Sequence, residues 1–241
     1  MPKYELLNNV QHDELKINTD RAAGFGDDVM FTMTFPFEFR LALSRYPIVV
    51  YQDPDNQKYY PVTLFGFAEG DNLFLNDKGW DASYIPVMIQ RQPFAIGFQQ
   101  RPGESEEQQV VTIDTKHPRV NKTLGYEIFN ENGGYTPYLE KVVEMLESID
   151  SGHEQNQLLI DALFKHDLLE NTTFEITLKN GQQHKLVGFS TVSEDRFQAL
   201  EGEALEELNK SGLLLLITMM IASLSQLRNL IDRENAKLDL T

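Results

Sequence analysis

The chain uses one punctuation pattern twice. Arg45-Tyr46-Pro47-Ile48-Val49-Val50 returns in altered form as Arg91-Gln92-Pro93-Phe94-Ala95-Ile96. The residue before a proline is pushed out of the α region, and proline cannot donate to a helix ladder, so a helical turn ends there and a strand can begin. Each Arg then falls in or near the last turn. Its cation can meet helix-end carbonyls, or it can guard a shared cleft.

The rest of the first half reads as strands with short helical insertions. Phe31, Met33 and Phe35 alternate with Thr32 and Thr34, the period of a half-buried strand. Pro36 opens a short helix through Ser44, and residues 47–51 and 59–67 form strands around the turn Asp53-Pro54-Asp55-Asn56. Leu73-Phe74-Leu75 is a short strand, and Trp80 sits in a Gly-Trp-Asp turn. Tyr84-Ile85-Pro86 begins a second short helix, closed by Arg91-Gln92-Pro93, and residues 94–98 and 110–114 are strands flanking an acidic loop at 101–109.

After Gly133-Gly134 the balance shifts to helix. Thr136 can cap and Pro137 suits the first helical position of a helix bearing Leu139, Val142, Leu146 and Ile149, which Asp150-Ser151-Gly152 ends. A second helix over 154–169 carries Leu159, Leu163 and Phe164 as core candidates. Residues 174–191 form a β-hairpin about Asn180-Gly181. Thr191 and Glu194 have capping-box spacing for a helical stretch through Lys210 with Phe197, Leu200, Leu205 and Leu208 inward. A last helix over 213–234 is apolar all round in its first half, which predicts burial on several sides. The expected fold is α+β: a mostly antiparallel sheet with short helices in the N-terminal half, then a helix-rich half with a hairpin. Residues 1–241 are expected to form one domain, with a sub-boundary near 133–134.

Composition narrows function chiefly by exclusion. A net charge of −16 disfavours nucleic acid and anionic lipid as partners. Cysteine is absent, which removes thiolate nucleophiles, disulfides and Cys-ligated metals. The start has no continuous apolar core of the signal-peptide kind, and residues 213–222 fall short of the roughly 20 a membrane span needs. A cytoplasmic protein without membrane insertion is expected. The five histidines show no metal spacing, Asp114 and His117 straddle the end of a strand, and no phosphate-binding glycine loop or Gly-x-Ser-x-Gly elbow occurs. No cofactor and no catalytic residue are expected.

The remaining candidates are Arg45, Trp80, Tyr84, Arg91 and Asp114. Two arginines with aromatic faces and a carboxylate can hold an anionic or aromatic small molecule. The bland alternative pairs Arg91 with Asp114 across neighbouring strands and makes Trp80 a plug at the sheet end. The stripe on the last helix can pack in its own core or form a homodimer.

Taken in order, Arg45-Tyr46-Pro47-Ile48-Val49-Val50, Asn72-Leu73-Phe74, Trp80, Tyr84-Ile85-Pro86, Arg91-Gln92-Pro93-Phe94 and Ile113-Asp114 resemble the SapC family of bacterial proteins. Gly125 with Ile128-Phe129, Gly134 with Thr136-Pro137-Tyr138-Leu139, Gly188, Gly212 and Ser223-Leu224 continue the resemblance over nearly the whole chain. Gln92 departs from the aromatic or basic residue expected there. The resemblance implies a Gram-negative context near surface-layer or outer-membrane uptake systems. It carries no catalytic residues, so the expectation is a noncatalytic accessory or binding protein with a protein partner; the alternative is a ligand-binding or peptide-modifying protein with an Arg/aromatic cleft.

Overall fold

The computed structural model describes residues 2–100 and 107–238. The chain divides into two compact units, each assembled from two stretches: Met1–Asp27 with Val87–Ser151, and Asp28–Pro86 with Gly152–Thr241. Gly133-Gly134 lies inside the first of these. The architecture is α+β with antiparallel sheets, strands concentrated in the first half and helices in the second.

Both prolines of the repeated pattern stand where a strand begins. In the larger unit the short helix Phe39–Ala42 gives way to the strand Ile48–Gln52, and in the smaller one Val87–Gln90 gives way to Phe94–Gln100. The larger unit is built on a five-stranded sheet in the order Leu169–Thr177, Gln183–Val192, Ile48–Gln52, Tyr59–Leu64, Phe31–Met33. Phe189 faces Tyr51 and Ser190 faces Val50, so strands from both halves of the sequence share this sheet. The hairpin begins at Leu169, earlier than expected, and turns at Asn180-Gly181 with Gly181 at φ +84°.

The smaller unit pairs Phe94–Gln100 with Glu107–Asp114, and that strand in turn with Tyr4–Leu6. Of the acidic loop expected at 101–109, residues 101–106 lie outside the described residues and 107–109 already belong to the strand. A second small sheet places Lys16–Ile17 between Val120–Asn121 and Tyr126–Glu127. Ile17, Phe94, Ile113, Ile128, Leu139, Val142 and Leu146 form the core.

Four helix expectations need correction. The helices expected at 137–149 and 154–169 are one, Pro137–Lys165, running straight through Asp150-Ser151-Gly152. Gly152 is there for a close approach, because a Cβ on it would lie 2.6 Å from Phe35 Cδ1. Leu159 and Leu163 are buried as expected, but Phe164 is half exposed, its ring against Tyr59. The capping box at Thr191 does not form: Thr191 lies in a strand with its hydroxyl 2.7 Å from that of Thr172, and Ser193 precedes a short helix Glu194–Gln198. Gly202, at φ +55°, starts a separate helix, Gly202–Lys210, of which only Leu208 is buried.

The last helix is also divided, into Leu213–Ser223 and Gln226–Leu238. Ser223 accounts for the break. Its buried hydroxyl donates to the Met220 carbonyl at 2.6 Å and accepts the Ile48 N–H at 2.8 Å, competing with the helix ladder. Ile217, Met219 and Met220 are buried while Leu215 is 53% exposed, so the apolar half is covered on one side only. By length and composition the run Leu213–Leu238 could cross a membrane, with a mean hydropathy of 1.6 in its most apolar window.

Candidate functional site

Arg45, Trp80 and Tyr84 belong to the larger unit and gather around Tyr46, which is fully buried. The Tyr46 hydroxyl donates to the Tyr84 carbonyl and accepts the Trp80 indole N–H at 2.9 Å. Arg45 Nε donates to Ser83 Oγ at 2.8 Å. The Tyr84 hydroxyl donates to Glu38 Oε2 at 2.6 Å. On its other oxygen this buried carboxylate accepts the Thr34 hydroxyl at 2.8 Å and the Phe35 N–H at 3.2 Å. Phe65 stands edge-on to Trp80 with ring centres 5.1 Å apart, and Phe65 and Phe74 both abut Tyr46.

Protonation follows from this packing. Burial raises the Tyr84 phenol far above its ordinary range, and the adjacent Glu38 charge raises it further. Burial raises Tyr46 as well, against a smaller lowering by the Trp80 hydrogen bond. Both phenols therefore stay protonated at neutral pH and act as donors. Trp80 is half-buried and held by its indole bond to Tyr46 and its edge contact with Phe65.

Arg91 and Asp114 belong to the smaller unit, and they do not pair as the bland alternative expected. Arg91 Nη1 donates to the Phe94 carbonyl at 2.6 Å, bracing the turn at the cis Gln92-Pro93 bond. Asp114 Oδ1 accepts the N–H groups of Lys3 at 2.7 Å and Lys116 at 3.1 Å. The Asp114–His117 segment is a turn, with the His117 N–H on the Asp114 carbonyl at 3.1 Å. Among the described residues no group of three His, Asp or Glu side chains could hold a metal.

Sequence reasoning missed the charged centre of this unit. Arg119, 1% exposed, binds both oxygens of the fully buried Asp27 through Nη2, each at 2.7 Å. Its Nη1 donates to the carbonyls of Asn18 at 3.1 Å and Asp20 at 2.5 Å, and its guanidinium lies 5.0 Å from the Phe25 ring centre. Arg21 also approaches Asp27, at 3.5 Å. Two guanidiniums thus share one carboxylate. No spacing rule links residues 92 apart.

Near this centre an open cleft of about 590 Å³ is lined by Gly125, Tyr126, Glu127, Thr136, Pro137, Tyr138 and Lys141. The Tyr126 and Tyr138 rings stack with centres 5.1 Å apart and planes 13° from parallel. The Tyr138 phenol is pushed up to about 12, by burial first, while Arg21 and Arg119 pull it the other way. Nothing in the sequence alone pairs these rings: Tyr126 lies in a short strand and Tyr138 in the first turn of the long helix, brought round by the Phe129–Tyr135 bridge that the structure shows.

Comparison with curated proteins and with solved structures returns no match. The family model that does match, SapC, covers residues 7–230, a span that includes both Arg-x-Pro junctions, the buried Arg119–Asp27 pair and the tyrosine cleft. The chain belongs to the SapC family.

Proposed function

We propose that the protein is a noncatalytic accessory or binding protein of bacterial surface-layer or outer-membrane uptake systems, working in the cytoplasm through a protein partner. One observation carries the noncatalytic part. At both Arg-x-Pro junctions the polar side chains with chemical potential are committed to internal bonds: Tyr46, Trp80 and Tyr84 with Glu38 in one, Arg91 and Asp114 on backbone groups in the other. A general base must reach a substrate proton within hydrogen-bond distance, and a protonated phenol bonded to a buried carboxylate does not offer one. Membership of the SapC family supports the surface and uptake context.

The test is direct. Purified protein incubated with candidate peptides and small anionic metabolites should give no product by mass spectrometry. A product whose formation Arg91→Ala abolishes, with the fold of the variant retained by circular dichroism, would overturn the reading. A second reading, small-ligand binding, is favoured by the stacked tyrosines at an open cleft, which is lined by residues other than those first expected to bind.

A further inference from the structure

We infer that the cleft between Tyr126–Glu127 and the start of the long helix binds planar carboxylates, the ring lying on the tyrosine wall and the carboxylate at Lys141. This rests on the ligand-binding reading above and specifies its chemistry.

The wall is flat and held in place. Tyr138 is backed by Phe94, ring centres 6.4 Å apart, and Tyr126 lies parallel over Tyr138 while remaining 56% exposed. Gly125 lets the Tyr126 strand close on its neighbour: at φ +110°, a Cβ there would sit 2.0 Å from the Ile17 carbonyl oxygen. Aromatic faces fixed in this way favour an offset-stacked ring over a flexible aliphatic chain. A volume of about 590 Å³ accommodates one or two fused rings.

Charge then selects the substituent. Glu127, the acidic residue in the lining, is matched by Lys16 at 3.0 Å. Lys141 has no ion pair or hydrogen bond among the described residues. Arg21 and Arg119 share the carboxylate of Asp27, and both guanidiniums lie within electrostatic reach of the Tyr138 phenol. In a chain of net charge −16, an aromatic cleft with surplus positive charge is a local departure that suits an anion. Planar recognition of a carboxylate by one exposed ammonium is worth roughly 1 kcal/mol, about a five-fold effect on affinity.

Calorimetric titration of the full chain with 2-naphthoate, 2-naphthamide and cyclohexanecarboxylate tests this. Naphthoate should bind about five-fold tighter than its neutral amide, and cyclohexanecarboxylate should bind weaker than either. Lys141→Met should abolish the preference for naphthoate over the amide without changing the melting temperature, and Lys141→Arg should restore it. Tyr126→Ala should weaken both naphthyl probes about ten-fold, with Tyr126→Phe near the parent. Equal binding of acid and amide, or a preference unchanged in Lys141→Met, would overturn the proposal. Absence of any binding would refute this ligand class and leave the noncatalytic reading standing. Lys141-dependent binding accompanied by consumption of the probe would uphold the ligand class and refute the noncatalytic reading.

Discussion

Asp27→Asn should be among the most damaging single-atom changes available to this chain. The Arg119 guanidinium is 1% exposed and cannot regain water when its partner loses charge. Its Nε has no hydrogen-bond partner among the described residues and its Nη1 meets neutral backbone carbonyls, so the two 2.7 Å bonds to Asp27 supply the opposite charge that offsets its burial. Removing one member of a buried pair costs about 3–5 kcal/mol. Asn keeps one carbonyl oxygen as acceptor, which places the expected loss at the lower end, about 3 kcal/mol. For a chain of this length that corresponds to a fall in melting temperature of about 6–12 °C. Urea unfolding followed by far-UV circular dichroism measures it. Hydrogen exchange at the Ala22 amide, which donates to Asp27 Oδ2 at 3.0 Å, reports the site itself if the two units unfold separately. The double variant Asp27→Leu with Arg119→Met removes the charges of this pair and should recover part of the loss, because an apolar pair avoids the desolvation cost of ions, while Arg21 and the Ala22 N–H still lose their Asp27 acceptor. A single-variant loss below about 1 kcal/mol, or a double variant no better than the single, would refute the assignment of Arg119 and Asp27 as a mutually dependent buried pair.

Gly152→Ala opposes two effects. Helix propensity favours Ala by about 1 kcal/mol, but the new Cβ would meet Phe35 at 2.6 and 2.9 Å and Phe37 at 3.0 Å. Overpacking of stacked rings costs about 1–3 kcal/mol, so a net destabilisation near 1 kcal/mol is expected from urea midpoints; a gain in stability would show that the helix can shift. His117 titrates below its ordinary value, through burial first and then the positive Arg119, with Asp114 and Asp27 acting oppositely. A histidine whose folded-state value is depressed favours folding above the unfolded value, near 6.5, and that contribution is lost as pH falls through the folded value. Comparison of urea midpoints at pH 7 and pH 5 should therefore show a larger acid-induced loss for the parent than for His117→Gln, and an equal loss would contradict the burial argument.

Elements set by local chemistry were legible in the sequence. The Pro47 and Pro93 strand starts, the Asn180-Gly181 turn and the α+β arrangement follow from backbone rules acting over a few residues. The failures share a cause. Gly152, Thr191 and Ser223 were each read by local habit as terminator, cap and helix residue, but each is committed to a distant partner: Phe35, Thr172 and Ile48. The Arg119–Asp27 pair was invisible for the same reason, since a bidentate ion pair across 92 positions leaves no periodic trace.

The repeated Arg-x-Pro pattern shows how far punctuation and function diverge. Its two prolines act alike, each opening a strand. Its two arginines do not: Arg45 bonds the Ser83 hydroxyl and Arg91 bonds the carbonyl of Phe94, the first residue of the following strand. The middle residue separates the junctions further. Tyr46 is the hub on which Trp80 and Tyr84 converge, while Gln92 keeps a buried Oε1 with no hydrogen-bond partner among the described residues. A phenol can donate and accept at once, so at the first junction it fixes an indole and a backbone carbonyl and closes the space between them. The echo therefore marks a shared solution for ending a helical turn. The aromatic side chains that line an open cleft are Tyr126 and Tyr138, stacked beside Lys141, which has no ion pair or hydrogen bond among the described residues.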